Sequence, residues 1–383
     1  MTDDHPPAPD QRSGAGAPAA GALPGTDAEA EWSRAVKILD GATEICLACH
    51  VRPDADALGS MLAVAHALRA QRGADASIVA SFGDRPFEIP RILRFLPGAG
   101  LAGAGLAGAG LPRTGLLRTG LLSPPGQIPA RPAVMVTFDA ASPDRLGLLE
   151  PNAARADELI VLDHHASNAR FGTVNLVDPA AAATAVLACE LVDRIGAELT
   201  RDVALGLYAG LVTDTGSFKY PGTTPRVHEM AARLLRTGIE PGVVAHELWD
   251  RSPFGFLDLL SAALGRARLE PAAAAGLGLV WTTVTRADRA RARLPFEVAE
   301  SVIDVVRRTD EAGVAAVLKE DDDGRWQVSV RSKGTADVGR ACVALGGGGH
   351  VLAAGFTGTG AADEVVTALR KALAAALGDE SQG

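Results

Sequence analysis

Two kinds of apolar pattern alternate along the first half of the chain. Continuous apolar runs of strand length occupy 44–49, 77–81, 133–138 and 158–162. Between them apolar positions recur at helical spacing. Leu58, Met61, Leu62, Ala65 and Leu68 stand at i, i+3, i+4, i+7 and i+10, one face of an amphipathic helix. Residues 182–195 and 203–211 predict two more helices, and 220–264 reads as helical with breaks at Pro241, Gly242 and Pro253. Alternation of this kind predicts an α/β fold with a mostly parallel sheet flanked by helices. A second, smaller α/β unit follows, with strands expected at 277–285, 314–319, 326–331 and 351–356 and helices near 298–308 and 362–376. The expected organisation is a larger domain over 29–250, a linker over 251–265 and a smaller domain over 266–378.

Two segments break the pattern. Residues 1–28 are rich in Pro, Gly, Ala and Asp without periodicity, which predicts a disordered tail. Residues 98–132 contain LAGAGLAGAGL and RTGLLRTGLL, tandem repeats too short for solenoid units, and read as a flexible low-complexity insertion.

Composition narrows the function classes. Hydrophobic residues make up 47% of 383, enough for two modest cores. Aromatics are 4%, which argues against stacking platforms for long single strands. Acidic residues outnumber basic ones 46 to 37, a net charge of −9, whereas a protein tracking a long polyanion needs a basic surface. Long duplex nucleic acid is therefore excluded as a partner, and any nucleic-acid substrate is expected to be short. Cys46 and Cys49 form a CxxC with no second pair to complete a zinc site, and they lie in an apolar run as small hydrophobes. No disulfide framework, no apolar stretch of about 20 residues and no signal-peptide pattern are evident, so the expectation is a cytoplasmic protein away from membranes.

The ends of the apolar runs carry the chemistry. In open parallel sheets ligands bind beyond the carboxyl ends of the strands. The first run ends at His50 and continues as HVRPDADALGS, which places Asp54 and Asp56 in the loop before a helix. The run AVMVTF ends in Asp139, ELIVL ends in Asp163, His164 and His165, and GLVTDTGSF places Asp214 at the end of another apolar segment. A lone strand-end Asp is usually a cap or turn residue, and His66, His228 and His246 read as ordinary helix residues. Several carboxylates on one sheet edge would raise one another's pKa values unless cations neutralise them. Asp oxygens with His nitrogens and no thiolate suit manganese, magnesium or iron, and there are enough of them for two ions about 3.5–4 Å apart. Gly346–Gly349 and His350 form a second signature, whose bare backbone offers N–H donors to a phosphate. Arg331 leaves a predicted strand, with a guanidinium fork suited to phosphate.

HVRPDADALGS, the Asp of TFDAAS, LDHHASN and GLVTDTGSF resemble the four motifs of the DHH phosphoesterases in their usual order. RSKGTADVGRACVALGGGGHVLAAG resembles the DHHA1 domain with its GGGGH signature. The resemblance runs over about 32–377 and is to the NrnA-type oligoribonucleases and 3′-phosphoadenosine-5′-phosphate phosphatases, with the insertion before Asp139 as the departure. It implies hydrolysis of short oligoribonucleotides, of linear or cyclic dinucleotides such as pGpG or cyclic di-AMP, and of small nucleotide phosphates. It implies two divalent cations, manganese favoured over magnesium or iron, with His50 and Asp54 on the first, Asp56, His164 and Asp214 on the second, and Asp139 bridging. His165 is implied as the catalytic residue that meets the phosphate, with Asp163 orienting the loop or an imidazole and Asn168 either a helper or a turn residue. Arg331, Ser332, Gly347, Gly348, Gly349 and His350 are implied to hold the nucleotide, and a homodimer is compatible. An inorganic pyrophosphatase sharing only the first domain and a catalytically silent nucleotide-binding module are the alternatives.

Overall fold

The structure, a computed structural model, describes residues 25–73, 77–100, 120–334 and 336–378. Most of the expected N-terminal tail and the middle of the expected insertion lie outside the described residues. The chain divides into two compact units, one formed by residues up to Phe87 with Gly100–Thr237, the other by Glu88–Ala99 with the residues from Gly238 onward.

The first unit runs α1 (Gly25–Gly41), β1 (Glu44–Cys49), α2 (Ala55–Arg72), β2 (Ser77–Phe82), β3 (Val134–Phe138), α3 (Glu150–Ala153), β4 (Glu158–Asp163), β5 (Val174–Val177), α4 (Thr184–Arg194), α5 (Arg201–Asp214) and α6 (Pro225–Leu235). Its five strands are all parallel in the order β2-β1-β3-β4-β5, as the alternation predicts. The inner strands β1, β3 and β4 are buried along nearly their whole length, which explains why they read as continuous apolar runs. Helix α1 starts before the expected end of the tail, and the four-residue β5 was not expected.

Two features set the geometry of the site. Helices α2 and α5 cross at Gly59 and Gly206, where a Cβ on Gly59 would lie 2.4 Å from the Gly206 carbonyl oxygen and one on Gly206 2.5 Å from that of Gly59. Only bare backbone permits this approach. The expectation of a loose insertion up to residue 132 fails for its described end. There Leu121, Leu122 and Ile128 are buried, and the Ser123 amide donates to the Ala80 carbonyl at 2.9 Å beside β2. The repeat pattern of Gly and Leu hid the two leucines.

The second unit runs α7 (Pro241–Leu248), α8 (Gly255–Leu264), β6 (Arg268–Glu270), β7 (Leu279–Val284), α9 (Arg286–Ala292), α10 (Val302–Val306), β8 (Val314–Glu320), β9 (Trp326–Ser332), α11 (Val338–Val343), β10 (Gly348–His350), β11 (Ala353–Gly358) and α12 (Ala362–Gly378). Its sheet has the order β10-β11-β9-β8-β7-β6, parallel only between β7 and β8. Alternate residues point to opposite faces. Val314, Ala316, Leu318, Val328, Val330 and Phe356 meet α11 and α12, while Val280, Val284, Ala315 and Val317 meet α8 and α10. The helix expected near 298–308 is a 3₁₀ turn, Phe296–Ser301, followed by the single turn of α10. The strand expected at 351–356 lies at Ala353–Gly358, with Val351 left exposed in the preceding turn. The four cysteines are buried free thiols, and among the described residues no helix is long and apolar enough to cross a membrane.

Candidate metal centre

The carboxyl ends of β1, β3 and β4 deliver His50, Asp139 and Asp163 with His164 and His165, as their positions in the sequence predict. Two residues arrive differently. Asp54 is the N-cap of α2, its Oδ1 accepting from the Asp56 and Ala57 amides at 3.0 Å each, and Asp56 lies inside the first helical turn, fully buried, not in the preceding loop. Asp214 is the last residue of α5 and not the end of a strand, so it reaches the site only because α5 packs on α2.

These side chains converge. His50 Nε2 lies 3.7 Å from Asp54 Oδ2 and 3.4 Å from Asp139 Oδ2. His164 Nε2 lies 3.6 Å from the other oxygen of Asp139, 3.2 Å from Asp214 Oδ2 and 4.0 Å from Asp56 Oδ2. Two ligand atoms bound to one ion at about 2.1 Å are roughly 3.0–3.4 Å apart when cis and about 4.2 Å when trans. The observed separations fall in that interval. The groups His50–Asp54–Asp139 and Asp56–His164–Asp214 could each hold an ion.

The orientations of the rings point the same way. His50 Nδ1 contacts the Val51 carbonyl at 2.8 Å and His164 Nδ1 the Ala181 carbonyl at 3.2 Å, so both rings turn Nε2 to the carboxylates. A backbone carbonyl behind the ring is the usual support of a metal-ligating imidazole. His165 differs, with its Nδ1 on Asp163 Oδ1 at 2.7 Å.

Counting lone pairs separates the carboxylates. Asp163 Oδ1 also accepts from the amides of His164 and His165, so that oxygen is filled by donors, and its Oδ2 is turned to Asn168 Nδ2 at 2.6 Å. It orients His165, and Asn168 buckles the loop by donating also to the Ala140 carbonyl. Asp56 accepts from Ala185 N at 2.8 Å and Ser60 Oγ at 3.3 Å on Oδ1 and from Thr184 N at 2.6 Å on Oδ2, which keeps one lone pair on the oxygen nearer His164. Asp139 accepts on Oδ1 from Thr184 Oγ1 at 2.8 Å and keeps capacity on both oxygens.

Electrostatics show what the cluster lacks. Burial works against a charged His50, yet its contacts with Asp139 and Asp54 push its pKa up to about 10. His164 is likewise raised to about 11 against its burial, by Asp214, Asp139 and Asp56. Burial pushes Asp214 up to about 6, and burial together with Asp214 and Asp139 pushes Asp56 well above the carboxylate range. Asp139, despite burial, is held well below that range by the three imidazoles. So many buried carboxylates need positive charge, and a dication supplies more of it than a proton can.

The sequence did not point to Thr184, Ala185, Ser60 or the glycines. Gly210 is required because a Cβ there would lie 2.6 Å from Asp56 Oδ1. Gly206 and Gly210, four apart in a predicted helix, were a legible small-residue signal; Thr184 had none.

In the second unit, Arg331 on β9 pairs with Ala353 on β11, which pairs with His350 on β10. Arg331 and His350 therefore share one face of the sheet, two strand spacings or roughly 10 Å apart. The second half of the GGGGH segment, Gly348–His350, is the edge strand β10. Added Cβ atoms at Gly347 and Gly349 would strike β11 backbone at 2.1 and 2.6 Å, whereas one at Gly348 meets nothing within 4 Å. Ser332 is buried, with Oγ accepting from the Gly334 and Ala336 amides, which makes it a turn staple.

Residues 44–211 match the model of the DHH family N-terminal domain and residues 286–379 that of the DHHA1 domain. Over 334 residues the chain is 32% identical to a bifunctional oligoribonuclease and PAP phosphatase NrnA of Thermus thermophilus, spanning 86% of this chain and 90% of that protein. It is 25% identical over 223 residues to a probable enzyme of the same name from Streptococcus mutans, spanning 58% and 69%. The crystal structure of an exopolyphosphatase-related protein from Bacteroides fragilis matches with a TM-score of 0.74 at 21% identity, covering 90% of this chain and 96% of that one, a likeness of fold.

Proposed function

The chain belongs to the DHH family, with a DHHA1 domain later in the sequence, and is a hydrolase of phosphoester bonds; on that premise we propose that it cleaves short nucleotide phosphoesters with two divalent cations, manganese foremost. The observation that carries the reading is the division of Asp139. One oxygen faces His50 at 3.4 Å and the other faces His164 at 3.6 Å, with capacity left on both. His50 and Asp54 would hold one ion, Asp56, His164 and Asp214 the other, and Asp139 both. Such a pair of ions supplies an activated water as nucleophile and charge stabilisation for the phosphoryl oxygens.

The remaining chemistry falls to the chain's own groups. Asp163 holds the His165 ring by Nδ1 and, against burial, raises its pKa, which favours the protonated ring. His165 would then give a proton to the leaving oxygen, the role of a general acid. Arg331 and His350, on one face of the second sheet, would contact the nucleotide, with Arg331 forking onto a phosphate. Gly348 has open space for a ligand, while Gly347 and Gly349 serve the packing of the edge strand.

The acidic net charge of −9, the sparse aromatics and the two activities in the relatives' names support the substrate class. Short oligoribonucleotides, linear or cyclic dinucleotides and 3′-phosphoadenosine-5′-phosphate are the proposed substrates. The test is a panel of linear diadenylate, cyclic di-AMP, 3′-phosphoadenosine-5′-phosphate and pyrophosphate, assayed with manganese and with chelator. Manganese-dependent turnover of a nucleotide ester is expected. Turnover of pyrophosphate alone would replace this reading with a pyrophosphatase, and no turnover would replace it with a binding module.

A further inference from the structure

Helix α4 begins at the metal centre with an exception to the usual capping rule. The first amides of a helix lack intrahelical partners and are normally met by a Ser, Thr, Asp or Asn just before it. Here that position is Ala183, which has no side chain to offer. The Thr184 and Ala185 amides instead donate to the two oxygens of Asp56, 128 and 129 residues earlier in the chain. The Thr184 hydroxyl, from the same residue, donates to Asp139 Oδ1 at 2.8 Å. Thr184 and Asp56 are 0% exposed and Asp139 3%, so water does not substitute for these donors.

We infer that Thr184 is a positioning residue whose hydroxyl fixes the rotation of the Asp139 carboxylate, so that each oxygen serves a different cation. The inference rests on the reading of Asp139 as the shared ligand. A carboxylate turns about its Cβ–Cγ bond, and nothing in the bond itself assigns one oxygen to His50 and the other to His164. The Thr184 hydroxyl, a directional donor at hydrogen-bond distance from Oδ1, makes that assignment, while His165 Nδ1 stands farther from the same oxygen at 3.6 Å. The donor is neutral, so it holds the carboxylate without cancelling the charge that attracts the cations, which a Lys or Arg would do. Asp139 also needs holding at its backbone, where φ is +58°, a left-handed conformation that costs a non-glycine residue about 1–2 kcal/mol. The Asp139 amide is held by the Leu162 carbonyl at 2.9 Å. Backbone and side chain are therefore fixed from opposite sides, by β4 and by α4.

The test uses the full chain stripped of metal and titrated with manganese(II), by calorimetry and by the magnetic-coupling signature of a bound manganese pair in electron paramagnetic resonance. Thr184→Val keeps volume and the α4 amides and removes only the donor; Thr184→Ser keeps the donor and removes a methyl. Thr184→Val should weaken the second manganese equivalent roughly ten- to hundredfold, the range of a hydrogen bond to a charged group, and abolish the pair signal. Thr184→Ser should bind both ions within a few-fold of wild type. If Thr184→Val fails to fold, the comparison moves to Thr184→Ala against Thr184→Ser, which differ by the oxygen alone, with the same expectation. A donorless variant that binds two coupled ions as tightly as its donor-bearing partner overturns the inference. Asp139→Asn is run alongside. If it too binds both ions normally, the shared-ligand reading has failed; if it loses them while Thr184→Val does not, only the role of Thr184 has failed.

Discussion

Replacing Gly210 by Ala puts one methyl group where α5 passes the metal centre. That carbon would lie 2.6 Å from Asp56 Oδ1, 2.9 Å from Asp56 Cα and 3.1 Å from Ala185 Cβ. Asp56 cannot swing away, because the α4 amides grip both its oxygens. The helices cannot slide, because Gly59 and Gly206 already touch backbone to backbone. Overpacking costs about 1–3 kcal/mol, and three blocked contacts place this site near 3. Alanine returns about 1 kcal/mol through its helix propensity. The net of about 2 kcal/mol is a factor of roughly 30 in the folding equilibrium, and should lower Tm by roughly 4–8 °C for a unit of this size. Displacing Asp56 should also weaken manganese binding by about 10–100-fold, as loss of ligand support commonly does. Thermal melts and manganese titrations of Gly210→Ala measure both, with Gly41→Ala as a control that meets no atom within 4 Å. A Gly210→Ala protein with wild-type Tm and wild-type manganese affinity would refute the packing argument.

Other perturbations separate the remaining roles. His165→Ala should keep both ions and lose roughly 10²–10⁴ in rate, the span of general acid–base catalysis, with Asp163→Asn moving the same way; loss of a metal equivalent in His165→Ala would reverse the assignment of the two histidines. Arg331→Ala and His350→Ala should lower kcat/KM for nucleotide substrates roughly 10–150-fold, by the loss of a charge-assisted hydrogen bond, and spare p-nitrophenyl phosphate; equal losses on both would contradict the division of labour. In the second unit Asp288 completes a capping box with Thr285 at α9 and pairs with Arg266, so Asp288→Ala should cost about 1 kcal/mol at pH 7 in urea melts. Burial raises the Asp288 pKa, but Arg266 and Thr285 bring it below its ordinary 3.8. The stabilisation is therefore present above that pH and lost as pH falls below it; a gap between wild type and variant that widens in acid would sink this account.

The parts of the site legible in the sequence are those carried by strand ends. His50, Asp139, Asp163, His164 and His165 each follow an apolar run, and a parallel sheet aligns such ends without further information. Asp214 was found by its neighbours in the sequence, at the end of an apolar segment, but the helix expected over 203–211 runs on to include it, because an apolar segment closed by Asp does not show where the element stops. Thr184 was invisible: its hydrogen bond to Asp139 spans 45 residues, and nothing in PAAAATAV distinguishes a positioning hydroxyl from a helix start. The strand within GGGGH was not expected, because glycine has little strand propensity. In the fold, Gly349 in β10 and Gly347 just before it are pressed against β11, a requirement visible only once the partner strand is known. Leu121 and Leu122 were lost in a repeat whose composition suggested no core, although both are buried beside β2.

The central claim is that one buried carboxylate serves two cations, and the amount of manganese bound per chain tests it most directly. Metal-free protein titrated with manganese(II) and counted by elemental analysis after desalting should bind two equivalents, and Asp139→Ala should fail to retain the pair while Asp163→Ala, which removes a carboxylate engaged by the His164, His165 and Asn168 donors, should lose far less. One equivalent in the wild-type protein, or two in Asp139→Ala, would contradict the account.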